Sequence, residues 1–497
     1  VSGFSGTSGL QHEEPLIFEQ PRQRQEAIHL PGVQAETPSA LATFMRRVPA
    51  GIPQCSEPEA VRHFVRLSQW NHSIETGFYP LGSCTMKYNP RVHEAITRLP
   101  GLAWLHPDQP DDTVQGMLVL LHELQTWLGE ITGLPHVSLQ PAAGAHGELT
   151  GLMIIRAALD ARGEGQRCKV LVPDSAHGTN PASAALCGLE PVEIASGPDG
   201  RVDLAQLTSH LDEDTAALML TNPNTAGVFE TDIAEICRLV HAAGGFVYGD
   251  GANLNALTGI ARPGDMGVDC LHINVHKTFS TPHGGGGPGA GPLAVNDALA
   301  SFLPVPRIEK TADGYRLVHT DAQSIGPVLG SIGQTGVLLR AAAYIAAFGR
   351  EHLHRIAEDA VLNANYVLAR LKDAYHVPFP GLCKHECLLT DEIQNRHGVK
   401  TLDIAKRLID YGFHPMTVYF PLIVHGAMLI EPTESESKAT LDAFCDAMLD
   451  IAAEVEHGDV QKMLDAPVRP IRRRLDETQA ARRPVLVYPG TNQDTPD

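Results

Sequence analysis

The sequence predicts an α/β fold, a large and mostly parallel sheet flanked by helices, followed by a smaller C-terminal α+β domain. Three observations predict it. Strand-length apolar runs alternate with helical periodicity over residues 111–330, in the rhythm strand, loop, helix, strand. Polar residues suited to ligand contact follow these runs, where parallel sheets bind ligands. Helix and strand patterns then repeat in a shorter unit over 331–497, leaving 1–110 as an arm and a loop.

The elements follow in order. Residues 1 to about 60 are rich in Gly, Ser, Gln, Pro and Glu, which predicts a poorly ordered start and an extended arm on another surface. After Pro58 a helix is expected, with Ala60, Val61, Phe64, Val65 and Leu67 on one face. Residues 77–90 form a turn-rich loop carrying Tyr79, Cys84, Lys87 and Asn89, either a connector or part of a site mouth. Residues 113–132 are an amphipathic helix ended by Gly133. Residues 140–148 lead into a helix. Small residues there (Ala143, Gly144, Ala145, then His146) expose N–H groups to an anion, although tight turns use the same residues. A strand at 169–173 leads to His177, Thr179 and Asn180, and one at 216–221 leads to Asn222. A helix begins at Asp232 and stops at Gly244, and the strand 246–250 ends in Asp250 with Asn253 just beyond. The strand 271–275 is expected to end at His276-Lys277, before a glycine run. Helices near 337, at 401–411 and at 441–455, with strands at 417–420 and 428–430, make the smaller unit.

A lysine at the end of an apolar strand lies against the core, where burial is expected to lower its pKa. Such a lysine can form an imine with a carbonyl cofactor; the bland alternative is a surface lysine before a flexible loop. The odds change with Asp250, which stands 27 residues before Lys277 at another strand end. Pyridoxal phosphate needs this pair: a carboxylate to keep its ring nitrogen protonated and a lysine to carry it. His177 is then placed either over the cofactor ring or as an ordinary loop histidine. Asn253 reaches the cofactor's phenolic oxygen.

Seven segments carry a resemblance: 77–94 (GFYPLGSCTMKYNPRVHE), 140–148 (QPAAGAHGE), 174–184 (DSAHGTNPASA), 221–230 (TNPNTAGVFE), 250–256 (DGANLNA), 274–292 and 428–437 (MLIEPTESES). Together the chain resembles the glycine decarboxylase P-protein family over about residues 20–480, and its size resembles the second, catalytic subunit of the split form. The resemblance implies the PLP-dependent transferase fold type I (aspartate aminotransferase-like). It implies decarboxylation of glycine and transfer of the aminomethyl group to the lipoyl arm of a carrier, the H-protein. It implies pairing with a lysine-free subunit 1 in an α2β2 hetero-oligomer. Lys277, Asp250 and His177 are then catalytic. Ala143, Gly144, Ala145, His146, Asn222, Asn253 and His276 hold the cofactor, and Thr179, Asn180, Lys87 and Cys84 face the substrate. The 330–336 segment resembles the place where a neighbouring chain touches the cofactor phosphate.

Without the resemblance, the residues reach only a PLP enzyme acting on an amine or amino acid. Another fold-type-I enzyme (an aminotransferase or cysteine desulfurase) and a catalytically silent scaffold subunit are the alternatives. Lys277 and Asp250 together argue against the scaffold, and Cys84 lies far upstream of where a desulfurase cysteine would serve.

The net charge of −20 argues against nucleic-acid or anionic-membrane partners. No apolar run approaches the roughly 18 residues of a spanning helix. The first 21 residues hold no Lys or Arg, unlike a signal or transit peptide. Nine cysteines without a CxxC pair read as reduced thiols in a cytoplasmic protein. No metal is expected: His272 and His276 are four apart, about 13 Å along a strand. The arginines at 472–474, 482 and 483 read as a solvated tail or a contact for an acidic partner.

Overall fold

The seven-stranded sheet runs in the order β1-β7-β6-β5-β4-β2-β3. Its strands are β1 (His136–Ser138), β2 (Lys169–Pro173), β3 (Glu190–Ile194), β4 (Thr215–Thr221), β5 (Phe246–Gly251), β6 (Cys270–Ile273) and β7 (Leu293–Val295). β3, β2, β4, β5 and β6 are parallel; β7 runs antiparallel to both β6 and β1. This is the mostly parallel sheet that the sequence predicts. The computed structural model describes residues 13–19, 39–45, 55–283 and 289–486. The glycine run at 284–287 and most of the N-terminal arm lie outside the described residues.

Both faces of the sheet are covered, so its central strands are apolar throughout. On β4, Leu218 and Leu220 join one core and Ala217 and Met219 the other. On β5, Val247 points one way and Phe246 and Tyr248 the other, as a period of two requires. The helix Gln115–Thr132 covers the first face through Leu118, Leu121, Leu124 and Leu128, and Gly133 closes it at φ 73°. The helix Gly144–Ala161 covers the second through Leu152, Ile155 and Leu159.

A two-stranded sheet of β8 (Arg307–Thr311) and β9 (Gly314–Val318) follows, and a separate core holds the smaller sheet of β10 (Cys387–Thr390), β11 (Thr417–Val418) and β12 (Ala427–Ile430), with the helix Lys438–Glu456 packed on it. The change from one core to the other falls within the helix His354–Leu371, whose Ile356 belongs to the first and Ala364 to the second. The 77–90 loop runs along β12: Gly82 N–H donates to the Leu429 carbonyl at 3.2 Å, and the Glu431 N–H to that of Pro80. A side chain at position 82 would collide with Leu429, so the approach requires glycine there.

Contacts divide the chain into a unit of residues 77–465, which holds all three sheets, and one of residues 1–76 with 466–497. In the latter, the helix Glu57–Ser68 forms where the sequence predicts it, but Val61, Phe64 and Val65 are exposed. Its buried contact is polar: Glu14 accepts from His63 Nδ1 at 2.8 Å and from Arg66 Nη2 at 2.7 Å. Of the tail arginines, Arg472 pairs with Glu13 at 2.7 Å and lies over the Trp70 ring.

Two local expectations are corrected. The strand expected at 271–275 ends at Ile273, and Lys277 sits on a single helical turn, Val275–Thr278. Asn274 caps the turn and its carbonyl accepts the Lys277 N–H at 3.0 Å, so the chain turns before the lysine. The strand expected at 417–420 likewise ends at Val418, because Tyr419 adopts φ 57°.

Candidate active site

The C-terminal ends of β2, β4, β5 and β6 converge with the N-terminus of the helix Gly144–Ala161 on a cavity of about 270 Å³. Ala143, Gly144, Ala145, His177, Thr179, Asp250, Asn253, His276 and Lys277 line it, which unites nine of the sequence-predicted residues. Asp250 and Lys277 meet because β5 and β6 pair in parallel, with Asp250 opposite His272.

Asp250 is buried. Its Oδ1 accepts from the Ala252 N–H at 2.9 Å and lies 3.3 Å from His272 Nε2; its Oδ2 accepts from Asn180 Nδ2 at 3.0 Å. Burial alone raises its pKa. The His272 interaction, the Asn180 and Ala252 hydrogen bonds and the charge of Lys277 outweigh burial and hold the carboxyl below its usual range. His272 is buried too, and burial lowers its pKa. Tyr248 Oη lies 2.7 Å from its Nδ1 and donates there, so Nε2 carries the proton that faces Asp250.

Beside this carboxylate stands Glu148, which sequence reasoning passed over as a helix residue. Burial first, then the neighbouring Asp250, push its pKa up to about 8. Its Oε1 lies 2.8 Å from Thr179 Oγ1; its Oε2 takes Asn180 Nδ2 at 3.3 Å and Ser183 Oγ at 3.5 Å. Asn180 thus bridges the two carboxyls from behind rather than lining the cavity. His177 is exposed at the wall, 2.9 Å from Thr179 Oγ1 through Nδ1 and edge-on to Phe420.

Other expected contacts point elsewhere. His146 Nδ1 accepts the Ala142 N–H at 3.1 Å and braces the loop before the helix. Asn222 Oδ1 accepts the Glu230 N–H at 3.0 Å. His276 reaches the cavity wall, but its Nδ1 is committed to the Ala290 carbonyl and its ring stands edge-on to His283; burial takes its pKa down to about 3. Lys87 is buried with all three donors committed: to Asn255 Oδ1, the Thr278 carbonyl and Glu434 Oε1, each at 2.7 Å. No donor is left for a substrate carboxylate, and its bond to Thr278 anchors the turn that carries Lys277. Cys84 is half-buried, and burial raises its pKa despite the nearby Lys277 charge.

A second buried group was also passed over. Glu386 accepts the Ser83 N–H at 2.7 Å, and Glu431 accepts both Thr85 Oγ1 at 2.6 Å and the Thr85 N–H at 2.9 Å. These bonds hold Ser83 at φ 64° and Thr85 at φ 50°, strained values for residues with a Cβ. His385 lies 3.7 Å from Glu431. Burial pushes Glu431 up to about 7 and Glu386 well above the carboxylate range.

The site accommodates a polar ligand bearing an anionic group. Thr221 Oγ1, Asn253 Oδ1 and Asn274 Oδ1 face this cavity buried and without a hydrogen-bond partner. A Cβ on Gly144 would stand 2.7 Å from Asn274 Oδ1, and one on Gly147 2.6 Å from the His272 Cβ, so the helix start packs closely against the end of β6. The first-turn N–H groups have no partner within the helix and face a site of small side chains. Pyridoxal phosphate fits these features: an ionised carboxylate, a nearby amine, a helix N-terminus and orphaned polar atoms.

The family described as "Glycine cleavage system P-protein" matches residues 33–407, and "Glycine dehydrogenase, C-terminal domain" matches 356–469. The chain belongs to the glycine cleavage system P-protein family. A probable glycine dehydrogenase (decarboxylating) subunit 2 from Caulobacter vibrioides is 54% identical over 489 residues, 97% of this chain and 93% of the relative. One from Exiguobacterium sibiricum is 54% identical over 481 residues, 96% of this chain and 97% of the relative. Among solved structures, an inhibitor-bound glycine decarboxylase (P-protein) aligns with TM-score 0.71 at 22% identity, covering 83% of this chain and 93% of that one. The cysteine desulfurase of Thermococcus onnurineus aligns at 0.60 and 14% identity, covering 76% and 97%. At these identities the structural likeness is one of fold, and it is the fold type I expected from the sequence. Within the P-protein family the desulfurase and scaffold alternatives are not favoured.

Proposed function

We propose that the chain is the cofactor-bearing subunit of a glycine dehydrogenase (decarboxylating). The observation that carries this reading is the pairing of an ionised, buried Asp250 with Lys277 across adjacent strand ends, at one cavity with a helix N-terminus. Family membership supports the activity. Pyridoxal phosphate, when bound, supplies the sink for the electron pair left as the glycine carboxyl departs as CO₂.

The residues divide the remaining work. Lys277 would hold the cofactor through its amine, the group at this cavity suited to bond a carbonyl. Asp250, kept ionised by the nearby His272, by the Asn180 and Ala252 hydrogen bonds and by Lys277, would pair with the ring nitrogen and favour its protonated form. Ala143, Gly144 and Ala145 present backbone N–H groups to the phosphate. His177, at the cavity wall, would cover the open face of the ring. Asn253, whose Nδ2 is committed to the Pro223 carbonyl at 2.9 Å, offers Oδ1 as an acceptor.

The acceptor in this reading is the disulfide of a lipoyl arm on a carrier protein, reduced as the aminomethyl group is taken up. The partner is a lysine-free subunit 1, in an α2β2 assembly. The setting is cytoplasmic. No described helix is long and apolar enough to cross a membrane.

The test is exchange of labelled bicarbonate into the carboxyl of glycine. The purified chain is assayed alone, with the partner subunit, and with the lipoylated carrier. Exchange that requires pyridoxal phosphate and rises with both partners is the expected result. Its absence from the full mixture would overturn the reading.

A further inference from the structure

Between His177 at the cavity wall and Asp250 at its floor run four contacts in series: His177–Thr179 (2.9 Å), Thr179–Glu148 (2.8 Å), Glu148–Asn180 (3.3 Å) and Asn180–Asp250 (3.0 Å). Counting hydrogens along this chain gives it a direction. The backbone N–H of Thr179 also points at His177 Nδ1, at 3.3 Å. A proton on Nδ1 would set two donors against each other, so Nδ1 is an acceptor. The 2.9 Å contact with Thr179 Oγ1 is then a bond that the hydroxyl donates. A hydroxyl has one hydrogen. With that hydrogen committed to His177, the contact between Thr179 Oγ1 and Glu148 Oε1 needs a proton on the carboxyl. Glu148 Oε2 already faces the Asn180 amide and the Ser183 hydroxyl, so the proton belongs on Oε1.

We propose that Glu148 is a protonated carboxylic acid in the working protein and that, through Thr179, it fixes His177 in the tautomer that carries its proton on Nε2. Among the described residues Nε2 has no protein hydrogen-bond partner, and His177 lines the cavity. The cavity therefore meets a donor at His177, matched to an oxygen atom of its occupant. Glu148 acts as a positioning residue. The inference rests on the reading above only for the ring's place beside the cofactor; the hydrogen count is independent of it.

The electrostatic surroundings agree. Glu148 faces Asp250 and Tyr248 from β5, His272 from β6, Lys277 from the turn after β6, and Thr179, Asn180 and Ser183 from the helix Thr179–Leu186. Burial and the Asp250 carboxylate outweigh the hydroxyls and Lys277, and the acid holds its proton up to about pH 8. Folded, its pKa is raised, so the protonated form is present below that value and lost as pH rises through it. Ionised Glu148 would draw the Thr179 hydrogen toward itself and release the His177 tautomer.

The test reads the ring directly. The full chain is labelled with ¹⁵N-histidine, with and without pyridoxal phosphate, and His177 is assigned by the signal missing in His177→Asn. At pH 7, Nδ1 should be unprotonated and Nε2 protonated in both states. At pH 9.5 the wild type should show a mixture of tautomers. Glu148→Gln, whose amide also donates to Thr179, should keep the single tautomer at both pH values. Thr179→Ala should give a mixture at pH 7. In the exchange assay, a wild-type decline of about tenfold per pH unit above 8 should be missing in Glu148→Gln. A proton on Nδ1 at pH 7 would overturn the proposal, as would a wild-type ring whose tautomer is unchanged at pH 9.5. If Glu148→Gln does not fold, the wild-type titration alone decides. No turnover is needed to see the ring, so this test can fail while the glycine exchange succeeds, and the reverse.

Discussion

Replacing Asp250 by Asn separates what this carboxylate does for the fold from what it does for the reaction. In the fold, an Asn side chain can keep its Oδ1 under the Ala252 N–H and the His272 N–H. Its Nδ2 then faces the Asn180 amide, where Oδ2 now accepts at 3.0 Å. One bond to a charged acceptor is lost, about 1.5–3 kcal/mol. Part is recovered if Asn180 turns over and offers its Oδ1, which has no partner in the native site. The expected loss of stability is therefore about 2 kcal/mol. In the reaction, a ring nitrogen without its anionic partner amounts to one side of a buried charged pair removed, about 3–5 kcal/mol. At about 1.4 kcal/mol per decade, glycine–bicarbonate exchange should fall by about 10²–10³ or more. Urea unfolding measures the first quantity. Exchange at saturating cofactor, with bound cofactor checked by absorbance, measures the second. An Asn variant that keeps its cofactor and exchanges within tenfold of wild type would refute the role given to Asp250.

Three further outcomes are expected. Lys277→Ala should still bind pyridoxal phosphate, but borohydride should not fix the cofactor to the protein; covalent label on the variant, read by mass spectrometry, would exclude Lys277 as the attachment. Gly251→Ala places a Cβ against the His272 carbonyl between β5 and β6, so unfolding should show a loss of about 1–3 kcal/mol and cofactor titration a weaker site; an unchanged protein would contradict the packing there. Glu230, buried under the Val202 N–H and the Asn224 amide, is pushed from 4.5 up to about 7, first by burial. Its raised folded pKa contributes stability on the order of 3 kcal/mol, complete below pH 4.5 and lost as pH rises through 7. Urea midpoints at pH 5 and pH 8 should differ less in Glu230→Gln than in wild type, and equal differences would refute the assignment.

Much of the large sheet was legible because its strands are short, apolar on both faces and separated by strong punctuation. The strand at 169–173 and the helix from Asp232 fall where expected. Asp250 and Lys277 were legible as a pair because two parallel neighbours carry them to the same edge. The misplaced features share a cause: they depend on partners distant in sequence. Nothing near Lys87 announces that Asn255, Thr278 and Glu434 occupy its three donors. Glu148 reads as an ordinary helix residue until β5 brings Asp250 beside it. Glu386 and Glu431 become a pair only because β10 and β12 run antiparallel with Cys387 opposite Ile430. The segments around 148 and 431 stand out through the family resemblance, which marks a site without assigning its protons.

Four buried carboxyls lie within electrostatic reach of Lys277, and only Asp250 is held below its usual range. Depth does not separate them; the His272 imidazole beside Asp250 is the largest influence lowering its pKa, and the hydrogen bonds to Asp250 add to it. Asp250 collects a backbone N–H and an amide, with the His272 imidazole 3.3 Å away. Glu148 shares that amide at a longer distance and depends otherwise on hydroxyls, which donate or accept as the proton dictates. Glu386 has one backbone donor, and its Oε1 has no hydrogen-bond partner. A site with four carboxylates would repel an anionic cofactor and an anionic substrate. Keeping one ionised leaves a single negative charge where a protonated ring nitrogen needs it. The other three, as neutral acids, line the surroundings of Lys277 without opposing a phosphate or a glycine carboxylate. The arrangement makes a specific demand on pH. Raising it through about 7 to 8 ionises Glu431 and then Glu148, so affinity for pyridoxal phosphate should weaken over that interval even though the phosphate and Asp250 have finished titrating. Fluorescence titration of the cofactor at pH 6.5 and pH 9 measures it, with Glu148→Gln and Glu431→Gln each removing part of the change; affinity that is flat or rises across the interval would show that these acids do not govern the charge of the site.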